Sequence, residues 1–229
     1  DNRMRHYFKT EQVKRMFREA ESLGVNTIIA RADHLVMRIF MEYWDEGGTA
    51  QWIAQTCPEV GTMERGIANA INGGAKAAYI HGGVMDNLFA QGRLEEVPAG
   101  IRMIRDAGLP AGIAGHNPEV FKWAENNLDL DFYMCCYYNP SSRDTNPEHQ
   151  AGGREWFLDK DRQIMVDVIA GLSKPVIHYK IMAAGHNDPA EAFAFAGKHM
   201  RPNDAVCVGI YDQDDPDMLR RDIELLESA

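Results

Sequence analysis

The stretch Ala77-Ala78-Tyr79-Ile80-His81-Gly82-Gly83 decides how the rest of the chain is read. Small and apolar residues run into a histidine that two glycines follow at once, as in a buried parallel strand that delivers a side chain into a loop. His81 is therefore the first candidate for a functional site. A histidine hydrogen-bonded at a strand end for structural reasons alone would look the same in sequence.

Working outward, the same strand-then-helix unit recurs. Val13, Met16, Phe17, Ala20 and Leu23 have helical spacing, with Thr10 as the expected N-cap and Gly24 as the stop. A β-branched strand at 25–30 follows, then the polar cluster Arg31-Ala32-Asp33-His34 and a helix ended by Gly47-Gly48. Further strands are expected at 51–55, 111–114, 132–137, 175–180 and 205–210, each with a helix after it. Alternation of this kind implies a parallel sheet with helices outside it. With the His81 strand the count is seven, one short of a closed (β/α)₈ barrel. Because the chain opens on a helix, the absent strand is expected to be the first, carried upstream of Asp1. The expectation is one α/β domain over 1–229, a TIM barrel with a gap between the 25–30 and 205–210 strands.

The 229 residues carry 24 Lys plus Arg against 34 Asp plus Glu, a formal charge of −10. That balance disfavours nucleic acid and anionic membrane surfaces as partners; the expected partner is a small-molecule substrate, and the oligomeric state is not readable. Cys57, Cys135, Cys136 and Cys207 show no metal-finger or CxxC spacing, so a reducing, cytoplasmic setting is expected. No apolar run has the length of a membrane helix.

Barrel chemistry gathers at the carboxyl ends of the strands. The residues expected there are Asp33 and His34, Gln55 to Cys57, His81, His116 with Asn117, Cys135 to Asn139, Tyr179 with Lys180, and Tyr211 with Asp212. Several histidines converging on one face could hold a divalent metal or transfer protons, though no HxH or HExxH spacing specifies either. Asn117-Pro118, Asp188-Pro189 and Asp215-Pro216 each read as a helix start, capped by Asn or Asp with proline at the first helical position. His186 beside the second start reads as part of the cap. The polar connection 139–154 is too long for a plain link and reads as a lid over the barrel mouth or an insert.

Taken in order, these residues resemble the aldo-keto reductases over nearly the whole chain. Gly24-Val25-Asn26 matches the approach to that family's second strand and His81 its fourth-strand histidine. Gly112 to Pro118 matches its Gly-Val-Ser-Asn segment, Tyr138-Asn139 its sixth-strand Tyr-Asn, and Tyr179 to Gly185 its Tyr-Ser-Pro-Leu-x-x-Gly. The resemblance implies an aldo-keto reductase-type barrel and a site built on an Asp, Tyr, Lys and His tetrad around a nicotinamide. Carried over, the Asp position falls on Ile29, the Tyr position on His34 and the Lys position on Thr56 or Gln55, so only His81 is kept. The resemblance places Tyr179 inward where the family stacks its nicotinamide, His178 toward the helices, and Cys135 inward with Cys136 outward. The acidic run Tyr211-Asp212-Gln213-Asp214-Asp215 stands where the family binds the 2′-phosphate of NADP, which disfavours NADPH.

The expected function is histidine acid–base chemistry on a small polar, sugar-like or carbonyl substrate. His81 and His34 are the first candidates and His116 the next. Asp33, Gln55, Cys135, Tyr138, Asn139, Tyr179 and Lys180 are the expected substrate contacts. The cofactor is unspecified, a divalent metal being one option. A nicotinamide-dependent oxidoreductase with His34 replacing the tyrosine, and a non-catalytic ligand-binding protein on the same scaffold, are the alternatives.

Overall fold

The computed structural model describes residues 7–138 and 156–229. Seven parallel strands run in sequence order as neighbours: β1 (Thr27–Arg31), β2 (Gln51–Gln55), β3 (Ala77–Ile80), β4 (Ala111–Gly115), β5 (Phe132–Cys136), β6 (Val176–Tyr179) and β7 (Ala205–Cys207). Each is paired to the next, as in Ile53↔Ala77 and Cys135↔His178, and no pairing closes β7 onto β1 among the described residues. The helices are α1 (Thr10–Ser22), α2 (His34–Asp45), α3 (Met63–Asn72), α4 (Gly82–Ala90), α5 (Val97–Asp106), α6 (Pro118–Asn127), α7 (Asp159–Ile169), α8 (Pro189–His199) and α9 (Met218–Glu227). This is the nearly closed α/β barrel expected, with the opening where the sequence placed it.

Alternation along the strands makes two apolar layers. Ile29, Ile53, Tyr79, Ala114, Phe132, Met134, Ile177 and Tyr179 fill the barrel interior. Tyr133, Cys135, Ile80 and Val176 face the helix layer, where Phe40 stacks on Trp52 with centroids 4.9 Å apart. The Trp52 indole also donates to Ala30 O at 3.0 Å.

The local signals were read with uneven success. Asn117 and Asp188 cap α6 and α8 by accepting from Glu119 N and Glu191 N. Asp215 instead accepts from Asp217 N in a turn, and α9 begins only at Met218. Thr10 is the first residue of α1 rather than its cap, which is Lys9 with no side-chain bond.

Candidate active site

The end of β4 and the start of α4 build the central feature. Gly82 opens α4 so close to β4 that a Cβ there would meet Gly115 N and His116 Cε1, each at 3.2 Å. The glycine after His81 thus lets α4 lie against the β4 end. One turn on, the Asp86 carboxylate reaches the β4–α6 loop. It accepts from His116 N at 3.1 Å and Asn117 N at 3.2 Å, and lies 2.7 Å from His116 Nδ1. Asp86 is 2% and His116 5% exposed. With Nδ1 committed to Asp86, the ring presents Nε2 toward the Tyr179 hydroxyl at 3.4 Å, and the two rings meet edge to face. The Tyr179 hydroxyl also lies 3.4 Å from Gly115 O.

Burial opposes charge on the His116 imidazole, but the neighbouring Cys136 sulfur and the hydrogen bond that the ring donates to the Asp86 carboxylate outweigh it and push its pKa up to about 9. The upward direction favours the protonated ring, a proton donor in a low-dielectric setting. Burial raises the Tyr179 phenol well above its ordinary value, so Tyr179 stays neutral.

His81 is placed differently. Its Nδ1 accepts from Gly83 N at 3.0 Å and caps α4, while its backbone amide donates to Thr56 Oγ1 at 3.2 Å. That cap assigns the neutral-ring proton to Nε2, so His81 offers a donor rather than a free basic nitrogen. Asp33 caps α2 by accepting from Val36 N at 3.0 Å and pairs with Arg31 at 3.3 Å. His34, the first residue of α2, is exposed. Gln55 hydrogen-bonds the inward Tyr79 across the β2–β3 pair. Lys180 follows β6 with a left-handed φ of 57°.

Two expectations about orientation need correction. Cys135, expected to face the site, packs in the helix layer with Tyr133, and Cys136 takes the inward place; the Cys136 thiol donates to Tyr138 O and hydrogen-bonds His116. Tyr138 is buried in the outer core, its hydroxyl accepting from Asn187 at 2.6 Å and its ring edge-on to Phe157. His178 does face outward, between the Tyr137 hydroxyl at 2.9 Å and Asp204 at 3.4 Å. Asn139 and the 139–154 connection lie outside the described residues. Sequence reasoning passed over Asp86, although an acid within the apolar run Val84-Met85-Asp86-Asn87-Leu88-Phe89 is a signal that a buried partner exists.

After β7, Asp212 pairs with Arg15 and Asp215 with Arg221. Among the described residues no group of three His, Cys, Asp or Glu side chains is placed to hold a metal ion. None of the described helices is long and apolar enough to cross a membrane.

No protein-family model and no curated protein matches the sequence. Solved structures share the fold. A candidate aldo-keto reductase from Pseudomonas aeruginosa matches 96% of this chain and 84% of its own with a TM-score of 0.65 at 13% identity. The aldo-keto reductase AKR11C1 from Bacillus halodurans, in its holo form, matches 96% and 83% with a TM-score of 0.61 at 11% identity. The 3-dehydroquinate dehydratase from Geobacillus kaustophilus matches 96% and 87% at 0.55 and 13%. The chain thus has the aldo-keto reductase type of barrel, at identities that speak to fold alone.

Proposed function

We propose that this chain is an enzyme acting on a small polar, sugar-like or carbonyl substrate by histidine acid–base chemistry, with His116 as its proton donor. The observation that carries this reading is the buried Asp86–His116 pair at the carboxyl end of β4, with Nδ1 and the carboxylate 2.7 Å apart. In such a pair the carboxylate fixes the tautomer and stabilises the imidazolium, leaving Nε2 to act. A carbonyl oxygen at Nε2 would be polarised by the charged ring and take its proton as the adjacent C–H gives its own proton to solvent water, forming the enol. Water exclusion around His116 strengthens that interaction. Tyr179 orients the ring through its hydroxyl, 3.4 Å from His116 Nε2. The resemblance puts Ile29, His34 and Gln55 or Thr56 at three of the four reductase tetrad positions, which weighs against the nicotinamide-dependent alternative.

The test is solvent exchange. The protein is incubated in D₂O without nicotinamide with small hydroxyaldehydes and hydroxyketones, and deuterium α to the carbonyl is read by proton NMR. The wild type should incorporate deuterium, and His116→Gln should slow it by roughly 100-fold or more, the usual scale of general acid–base catalysis. Incorporation unchanged in His116→Gln, or turnover seen only with NADPH, would overturn the proposal.

A further inference from the structure

The strand register puts the proton donor in a row of inward side chains. Ala114, Met134 and Ile177 pair across β4, β5 and β6 and lie in the barrel interior. Two residues further along each strand, alternation turns His116, Cys136 and Tyr179 the same way, with Cys136 between the other two. Asp86 fixes the tautomer of His116 and Tyr179 orients its ring, which leaves the fully buried Cys136 to account for.

The hydrogen-bonding capacity of this thiol defines what it does. Its S–H donates to Tyr138 O at 2.7 Å, so the sulfur meets the His116 ring as an acceptor. Nδ1 donates its one proton to Asp86, and the nitrogen left for the sulfur is Nε2, which also faces the Tyr179 hydroxyl at 3.4 Å. Sulfur is a weak acceptor and holds the Nε2 proton less firmly than an incoming carbonyl oxygen would. A main-chain carbonyl, a thiol and an imidazole thus form one chain of hydrogen bonds that ends at the acting nitrogen. Among the described residues, the ionisable groups that face the ring are Asp86 from α4, Cys136 from β5 and Tyr179 from β6, with Tyr79 of β3 near Tyr179.

We propose that Cys136 is a positioning residue for His116, its S–H anchored on Tyr138 O and its sulfur accepting from Nε2, which holds the ring charged and aimed until a substrate oxygen takes the sulfur's place. The proposal rests on His116 being the proton donor, but the effect of Cys136 on the ring is readable without turnover.

The test replaces Cys136 by Ala, Val and Ser and follows the His116 imidazole by ¹⁵N NMR titration, with the pH profile of solvent exchange beside it. Ala and Val lack an acceptor, and Val fills the space that Ala leaves, so either one suffices if the other fails to fold. In both, the His116 titration and the alkaline limb of the exchange profile should move down by about one pH unit, the scale of a hydrogen bond to a charged group. Ser keeps a donor and an acceptor and should restore both to the wild-type position. Cys135→Ser, next in sequence but in the helix layer, should move neither. Equal shifts in the Ala, Val and Ser proteins, no shift in any of them, or a similar shift in Cys135→Ser would overturn the proposal. Exchange missing from the wild type while the titrations move as expected would overturn the proposed function and support the role of Cys136.

Discussion

Asp86 and His116 lie thirty positions apart in sequence and 2.7 Å apart in space, because Gly82 lets the start of α4 pack directly on the end of β4. The carboxylate also receives two backbone amides, so it ties the α4 helix, the β4–α6 loop and the imidazole together.

Removing that carboxylate should be costly. Asp86→Ala takes the carboxylate from a buried imidazole and from two amides, a loss of about 3–5 kcal/mol as for other broken buried ion pairs. Asp86→Asn keeps an acceptor for the amides and should cost less. Urea unfolding of the three proteins checks the order, wild type above Asn above Ala.

Stability should also depend on pH with a definite sign. The His116 pKa is raised from 6.5 to about 9 in the folded state, so its contribution is complete below about 6.5 and is lost as pH rises toward 9. His178 is held below 6.5 chiefly by burial, so its effect is opposite: stability falls as pH drops below 6.5. A maximum near pH 6.5 is expected from these two groups. Thermal unfolding of wild type and Asp86→Asn across pH 5–9.5 tests this, since the alkaline decline should flatten in the variant.

Gly82→Ala should disturb the site without replacing any proton donor. Its Cβ would press on Gly115 N and the His116 ring at 3.2 Å, contacts that backbone and ring can relieve only by shifting. A stability loss of about 1–3 kcal/mol, the usual range for overpacking, is expected together with loss of the solvent exchange proposed above. Full exchange activity in a folded Gly82→Ala protein would show that the α4–β4 approach does not position His116.

The loop after β6 should be improvable. Ala184 holds φ 53° and ψ 34°, a left-handed conformation that costs an L-residue about 1–2 kcal/mol. Ala184→Gly relieves this but loosens the unfolded chain, so a net gain of at most about 1 kcal/mol is expected in Tm measurements.

The barrel was legible because parallel strands covered on both faces read as short apolar runs, as in Ala111-Gly112-Ile113-Ala114. The same property hid which side of β5 faces inward. Tyr133 and Cys135 are as apolar as Phe132 and Met134, so nothing in the period distinguishes the layers, and Cys135 was assigned to the wrong one. His81 stood out through its two glycines, whose structural use proves to be the helix cap and the close approach of α4. Asp86 was missed because its partner is distant in sequence and only the fold brings them together. The β1–β7 opening, by contrast, followed from counting strands.

The most direct measurement is an NMR titration of the His116 imidazole in ¹⁵N-histidine-labelled protein, with Asp86→Asn as the comparison. A pKa of about 9 is expected in the wild type, with the Nδ1 proton held in its hydrogen bond, and a clear fall in the variant. A His116 that titrates near 6.5 in both proteins would contradict the assignment of a carboxylate-held proton donor at the barrel mouth.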